Sequence, residues 1–227
     1  MSTEALISEM RRKADPRAVE GMARFGISSK DTLGLSIPTI RELAKKAGTD
    51  HQLAQALWRS GIHEARILAA FVDDPSLVTE PQMEKWVSEF DSWDVCDQVC
   101  SGLFDRTPFA HQKAIEWSRR KEEFVKRAGF ALMAALSVHD KKAPDSAFLK
   151  FLGPIERGST DERNFVKKAV NWALRQIGKR NLRLNRAALT EAVKISKIGS
   201  PSARWVASDA IRELKSEAVQ KKLRRSS

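Results

Sequence analysis

The sequence is poor in the residues from which most small catalytic and metal sites are built. Among 227 residues it has two cysteines, four histidines and no tyrosine. Two cysteines cannot make a disulfide scaffold, and they exclude any four-cysteine zinc or iron–sulfur site supplied by this chain alone. Cys96 and Cys100 stand at helical spacing and could form half a metal site, but no histidine lies within a turn of either. They read as two small buried apolar residues. His51, His63, His111 and His139 are scattered without ligand spacing. There is no Gly-rich phosphate loop, no GxSxG and no HExxH. The carboxylate pairs Asp73-Asp74 and Glu122-Glu123 fall at apparent helix ends, where they suit caps or dipole partners. An enzyme made from this chain needs a mechanism with few groups, and neither metal nor cofactor is expected.

Long apolar runs are missing too. None approaches the roughly 20 residues of a membrane span. The N-terminal stretch MSTEALISEMRRKADP is charged and amphipathic and has no apolar h-region. A cytoplasmic protein with no membrane partner is expected. No stretch is flexible or low enough in complexity to be a linker, so one domain over 1–227 is expected. With 42% hydrophobic and 30% charged residues, the chain is a folded globular protein.

Positive charge is what the chain has in excess. Forty Lys and Arg face 29 Asp and Glu, giving a formal net charge of +11 and a pI near 9.9. That balance points to a polyanionic partner, nucleic acid ahead of a membrane surface. Most of the charges are spread through periodic segments, as on a folded basic face. Only Lys221-Lys222-Leu223-Arg224-Arg225 looks like part of a short basic tail, 216–227.

Apolar residues recur at three and four, as in Leu53 and Leu57 or Phe124, Ala128, Ala131, Leu132 and Ala135. Nothing reads as a strand. Asp15-Pro16, Thr107-Pro108 and Ser200-Pro201 each offer an N-cap followed by proline, and Thr49-Asp50, Ser92 and Thr160-Asp161 are further caps. About a dozen helices result, the longest near 122–138 and 161–180. Phe124-Val125-Lys126-Arg127-Ala128 recurs as Phe165-Val166-Lys167-Lys168-Ala169, and Trp205-Val206-Ala207 repeats the apolar skeleton a third time. A looser copy runs from Leu57-Trp58 into His63-Glu64-Ala65-Arg66. A period near 40 in helix pairs is that of HEAT-like repeats. Such units cannot bury their apolar faces alone, so they stack. The expected fold is all-α: a right-handed α-solenoid of HEAT-like helical repeats with a basic concave face, the repeats clearest in 50–215. Stacking should line up the basic pair of each copy, and Arg163, Lys167, Lys168, Arg175, Lys179, Arg180, Arg183 and Arg186 concentrate charge in the C-terminal half. A stripe of this kind can neutralise a duplex backbone.

Against that basic background, Ser92-Trp93-Asp94-Val95-Cys96-Asp97 sets an indole and a carboxylate four residues apart. On a helix, Trp93 and Asp97 share a face. Trp172, with Arg175 three residues on, is a second candidate; Trp58, Trp86, Trp117 and Trp205 are expected in the core.

The segment Leu33-Gly34-Leu35-Ser36-Ile37-Pro38-Thr39-Ile40-Arg41-Glu42-Leu43-Ala44-Lys45 resembles the LGxxxPxxRxLAK segment of the AlkD family of DNA alkylation repair glycosylases. Ser92 to Asp97 resembles that family's Trp/Asp active-site motif, and Arg127 and Trp172 match its arginine and second tryptophan. The similarity runs over roughly 20–215 with the motifs in order. It implies excision of cationic N3- and N7-alkylated purines from duplex DNA, without metal or cofactor and without pulling the base into a pocket. It also implies catalytic roles for Asp97, Trp93 and Trp172, and a phosphate contact for Arg127. Arg175, Lys168 and Lys167 are assigned to the backbone on charge. Phe25 stands where relatives often carry a tyrosine, so any contact by that hydroxyl is absent. A monomer acting on double-stranded DNA with alkylated bases is expected. Two alternatives share the architecture: a non-catalytic α-solenoid that binds damaged or branched DNA through its phosphates, and a solenoid that holds a protein in an apolar groove.

Overall fold

Short polar residues start the helices and apolar residues at three and four bind them together. The computed structural model describes residues 2–225. Among them are fourteen α-helices and no strand: α1 (Thr3–Arg12), α2 (Pro16–Ala23), α3 (Ile37–Ala47), α4 (His51–Arg59), α5 (His63–Val72), α6 (Glu80–Ser88), α7 (Trp93–Gly102), α8 (Ala110–Trp117), α9 (Glu123–His139), α10 (Asp145–Gly158), α11 (Asn164–Gly178), α12 (Leu182–Ser196), α13 (Pro201–Leu214) and α14 (Glu217–Arg225). Asp15, Asp50 and Ser200 cap α2, α4 and α13 as their sequence context predicts. Each such cap contributes about 1 kcal/mol. Three expected caps, Ser92, Thr107 and Asp161, make no capping bond, the last two for visible reasons. Thr107 does not start α8, because its hydroxyl donates 2.8 Å to the Phe104 carbonyl and closes a 3-10 turn over Phe104–Arg106. Asp161 does not cap α11, because its carboxylate is taken by Lys126 at 2.8 Å and Arg163 at 2.7 Å.

The chain divides into two compact units, residues 1–107 and 108–227. In the first, α5 is the hub, packed by α3, α4 and α7. Ala65, Ile67, Leu68, Ala69, Ala70 and Val72 are all essentially inaccessible on it. Trp58 of α4 and Trp86 of α6 stack with ring centroids 4.0 Å apart and planes 3° from parallel. Burying a side chain of this size contributes roughly 1.5–3 kcal/mol, and the stacking adds to it. Trp58 keeps its Nε1–H satisfied by donating 2.7 Å to Glu89.

In the second unit α9 packs against α8 and α11, and α11 in turn against α12 and α13. The repeat period is visible in the packing: Phe124 and Phe165, equivalent in sequence, meet with centroids 5.6 Å apart. Gly129 permits the close approach of α8, since a Cβ there would lie 2.4 Å from the backbone nitrogen of Ser118. Trp117 is fully buried, but Trp205 is 42% exposed and is not core. Its ring lies instead under the Lys167 ammonium, 5.4 Å from the centroid. The expected basic tail is also different: it is helical through Arg225, held by the buried Leu223, and its last two residues, 226–227, lie outside the described residues. No helix among the described residues is long and apolar enough to cross a membrane.

Candidate active site and nucleic-acid interface

Helix α7 sorts its residues by face. Val95, Cys96, Val99 and Cys100 point into the first unit with no accessible surface. Trp93, Asp94, Asp97 and Gln98 lie half-buried on the other side. Ser92 enters the helix in an extended conformation and its hydroxyl makes no capping bond. Trp93 and Asp97 are therefore one turn apart on one face, as their spacing requires. Trp93 is anchored across the unit by its indole N–H, which donates 3.1 Å to the carbonyl of Phe25. Phe25 itself is 69% exposed beyond the end of α2. The Asp97 backbone carbonyl accepts from the Ser101 hydroxyl at 2.7 Å.

Three ionisable residues that the sequence pattern does not single out complete this corner. His63 Nε2 and Asp94 Oδ2 are 2.8 Å apart. Burial works against the charge on His63, yet the hydrogen bond and charge of Asp94 outweigh it and raise the imidazole above its ordinary pKa. Burial likewise works against the Asp94 carboxylate, and His63 holds it below the usual range. Glu64 is fully buried. Its carboxylate accepts from the backbone N–H groups of Leu33 at 2.9 Å, Gly34 at 2.7 Å and Leu35 at 3.2 Å. Here the LGLS segment acquires a physical meaning. Gly34 has φ +79°, and a Cβ on it would lie 2.3 Å from the Asp15 carbonyl. Only glycine lets the loop fold over α2 while offering three successive N–H groups to one acid. A sequence signal for Glu64 existed: it is an acid in the first turn of a helix otherwise dominated by Ala, Ile, Leu, Phe and Val.

Phe25, Trp93, Asp94, Leu35, Met22 and Ile67 line part of a cavity of 440 Å³ in this first unit. Asp97 is not part of its wall.

The remaining candidates belong to the second unit. Lys168, Trp172 and Arg175 recur at four and three along α11 and so share a face. Lys168 is exposed and Trp172 half-buried. Arg175 is tied to Glu213 through Nη1, and its Nε lies 3.8 Å from Asp209. Lys179 also reaches Glu213, at 2.6 Å. Burial pushes the Glu213 carboxyl up, and the two cations hold it down to a net lowered value. Lys167 lies over Trp205. Arg127 is only 5% exposed and donates to the Phe165 carbonyl. The two basic pairs thus align in sequence and differ in use: Lys126 is bound to Asp161 and Arg127 is buried, whereas Lys168 faces solvent.

The units also differ in charge. Residues 1–107 carry 13 Lys and Arg against 17 Asp and Glu, and residues 108–227 carry 27 against 12. The whole positive excess belongs to the second unit. Among the described residues no group of three or more His, Cys, Asp or Glu is placed to hold a metal ion.

No curated protein matches the chain. Among solved structures, a member of a family described as related to the HEAT-like repeat DNA glycosylases, with affinity for branched DNA structures, aligns over 100% of this chain and 95% of its own, with 18% identity and a TM-score of 0.78. The fold is therefore that of the HEAT-like repeat α-solenoids. Two designed armadillo repeat proteins align more loosely. One, in complex with a (KR)4 peptide, has 17% identity, coverage of 82% and 79%, and a TM-score of 0.39. The other has 15% identity, coverage of 78% and 92%, and a TM-score of 0.37. The profile of the DNA alkylation repair enzymes matches residues 6–214. That match spans nearly the whole chain, and the chain belongs to the DNA alkylation repair enzyme family.

Proposed function

We propose that the protein is a DNA glycosylase that hydrolyses the N-glycosidic bond of cationic N3- and N7-alkylated purines in duplex DNA. The observation that carries this reading is the half-buried pair on α7, a carboxylate one turn from an indole, on a helix whose other face is wholly core. Alkylation at N3 or N7 makes the base a cation, so it departs neutral with the bonding pair and needs no general acid. Water adds to C1′ as the C1′–N bond breaks, and one water proton passes to solvent. The sugar acquires oxocarbenium character on the way. Asp97 stabilises that charge and orients the water. The faces of Trp93 and Trp172 attract cationic groups by about 0.5–2 kcal/mol each. Because the leaving base is already activated, neither metal nor cofactor is required, and the base can react without being drawn into a pocket.

Lys168 and Lys167 supply phosphate contacts in this scheme, and Arg175 joins them by exchanging Glu213 for a phosphate. Arg127 is buried and so contributes indirectly, its bond to the Phe165 carbonyl steadying the start of α11, from which the two lysines project. Phe25 is the aromatic neighbour of Trp93 at the DNA-facing rim.

The test is release of free 7-methylguanine or 3-methyladenine from methylated duplex by purified protein, wild type against Asp97→Asn. Release by the wild type alone supports the reading; no release at stoichiometric protein and long times removes it. A second reading is duplex or branched-DNA binding without excision. It is favoured by the structural neighbour, whose family is described by affinity for branched DNA. It predicts salt-dependent binding with no preference for alkylated sites and equal binding by wild type and Asp97→Asn.

A further inference from the structure

The last helix of the second unit carries positive charge that the chemistry above does not use. Lys215, Glu217, Gln220, Lys221, Arg224 and Arg225 line a groove of 530 Å³ along α14. Among the described residues none of its four cations meets an acid. Elsewhere in the same unit Lys126, Arg163, Arg175 and Lys179 are each tied to a carboxylate. Lys221 and Arg225 stand four apart on one helix, where like charges repel, so gathering them does not serve the fold. The helix dipole accounts for Arg224 and Arg225 in the last turn. It does not account for Lys221 in the middle of α14 or for Lys215 ahead of its first turn.

The groove is firmly held. Leu223, turned away from it, is buried, and Gln220 donates 3.1 Å to the Asn185 side chain of α12 and 2.7 Å to the Leu214 carbonyl. Glu217, the one acid in the wall, opens α14, where it complements the dipole. The groove is also distinct from the face of α11 that carries Lys168 and Arg175. Glu213 meets Arg175, and Lys215 closes α13 two residues later. Side chains two apart on a helix point to nearly opposite sides. Lys215 is therefore turned away from Arg175, and the groove it lines is a second surface.

What the groove lacks selects its partner. No apolar or aromatic side chain lines it. A protein partner would need such an anchor at the centre of its interface. A lipid surface would need an apolar face to receive, and Leu223 is packed into the fold. The phosphates of a duplex need only cations and the forked N–H groups of arginine.

We propose that the α14 groove binds a second segment of duplex DNA through its phosphates, while the α11 face holds the first. The identity of the partner as DNA rests on the proposed function, in either of its two readings; the unpaired charge and its separation from Arg175 do not.

Isothermal titration of the full chain with a short unmodified duplex at low salt tests the surface without requiring excision. Two binding events per chain are expected. The weaker one should fall with salt at a slope of about −3.5 in log affinity against log salt, as for four neutralised phosphates. Lys221→Gln with Arg224→Gln and Arg225→Gln should weaken that event at least tenfold and leave the other within twofold. All three side chains are exposed, and Gln220 and Leu223 stay in place to hold the helix. Lys215→Gln lies outside α14 and should weaken the same event at least threefold, which keeps the test decisive if the triple variant loses its helix. A single event in the wild type overturns the proposal, as does a second event that both variants keep. Binding of an acidic peptide or of phosphatidylserine vesicles that the variants lose, with duplex binding untouched, also overturns it. Release of 7-methylguanine by a protein with one binding event removes the second surface and leaves the glycosylase reading. Two binding events in a protein that never excises do the reverse.

Discussion

The first unit carries 17 acids against 13 bases and the second 27 bases against 12 acids, yet both are made of the same helix pairs. In the proposed scheme the contrast separates two tasks. Affinity for a duplex comes from cations and falls with salt. Stabilising a developing sugar cation demands a fixed negative charge, which a strongly basic surface would neutralise by pairing. The acid–indole face of α7 belongs to the mildly acidic unit, and the face of α11 that carries Trp172 belongs to the basic one. Arg175 shows the pairing that a basic unit brings: its guanidinium is already engaged by Glu213 and Asp209.

If that division of labour is right, the largest effect should come from the first unit and appear in chemistry alone. Asp97→Asn is expected to lower the single-turnover excision rate by about 10²–10³, the loss typical of removing one electrostatic stabiliser. Duplex affinity at moderate salt should change by less than about twofold, since Asn keeps the size and removes one charge. Parallel loss of rate and affinity would break the comparison by making Asp97 part of the binding surface.

The second unit should show the opposite pattern. Lys167→Ala with Lys168→Ala is expected to weaken duplex binding and reduce the slope of log affinity against log salt by about 2, close to one for each phosphate that is no longer neutralised. The excision rate at saturating protein should stay near that of the wild type. A slope that does not move would place the duplex elsewhere on the chain.

How much of this was readable beforehand depends on how local the cause is. Asp15, Asp50 and Ser200 cap helices through bonds to residues two or three away, and the sequence alone placed them. Trp93 and Asp97 are likewise related by one turn of one helix. Trp205 misled because helical spacing does not say what covers the face: the Phe165 ring packs on Phe124, whereas Trp205 meets the Lys167 ammonium and is 42% exposed. Arg127 and Lys168 align in the repeat, yet one is buried and the other exposed, because neighbouring layers differ. His63–Asp94 and Glu64–Leu33 join residues 31 apart, and Trp93–Phe25 joins residues 68 apart. No local pattern encodes those pairings; only the packed unit does.

A smaller effect sharpens the account of the basic unit. Glu213 holds both Arg175 and Lys179. Glu213→Gln should release the two cations toward phosphate and tighten duplex binding by a few-fold at low salt, with the gain vanishing as salt rises. Unchanged or weaker binding would mean that Glu213 positions Arg175 productively and does not compete with DNA for it.

The smallest expected effect returns to the acidic unit and concerns stability. His63 titrates above its ordinary value in the folded chain, with Glu64 and Asp91 adding to the pull of Asp94, and Asp94 titrates below its own. A raised histidine stabilises the fold fully below its unfolded pKa of about 6.5, and the contribution disappears as pH rises through the higher folded value. A lowered aspartate stabilises above its unfolded pKa of about 3.9, and the contribution disappears as pH falls through the lower folded value. The pair therefore supports the first unit most between about pH 4 and 6.5. Calorimetric melting from pH 6 to 8 should show the wild type losing about 2 °C more than His63→Gln, a size set by roughly 2–4 °C per kcal/mol for a chain of this length. Melting curves that run parallel over that interval would mean that the His63–Asp94 contact carries no protonation-linked stability.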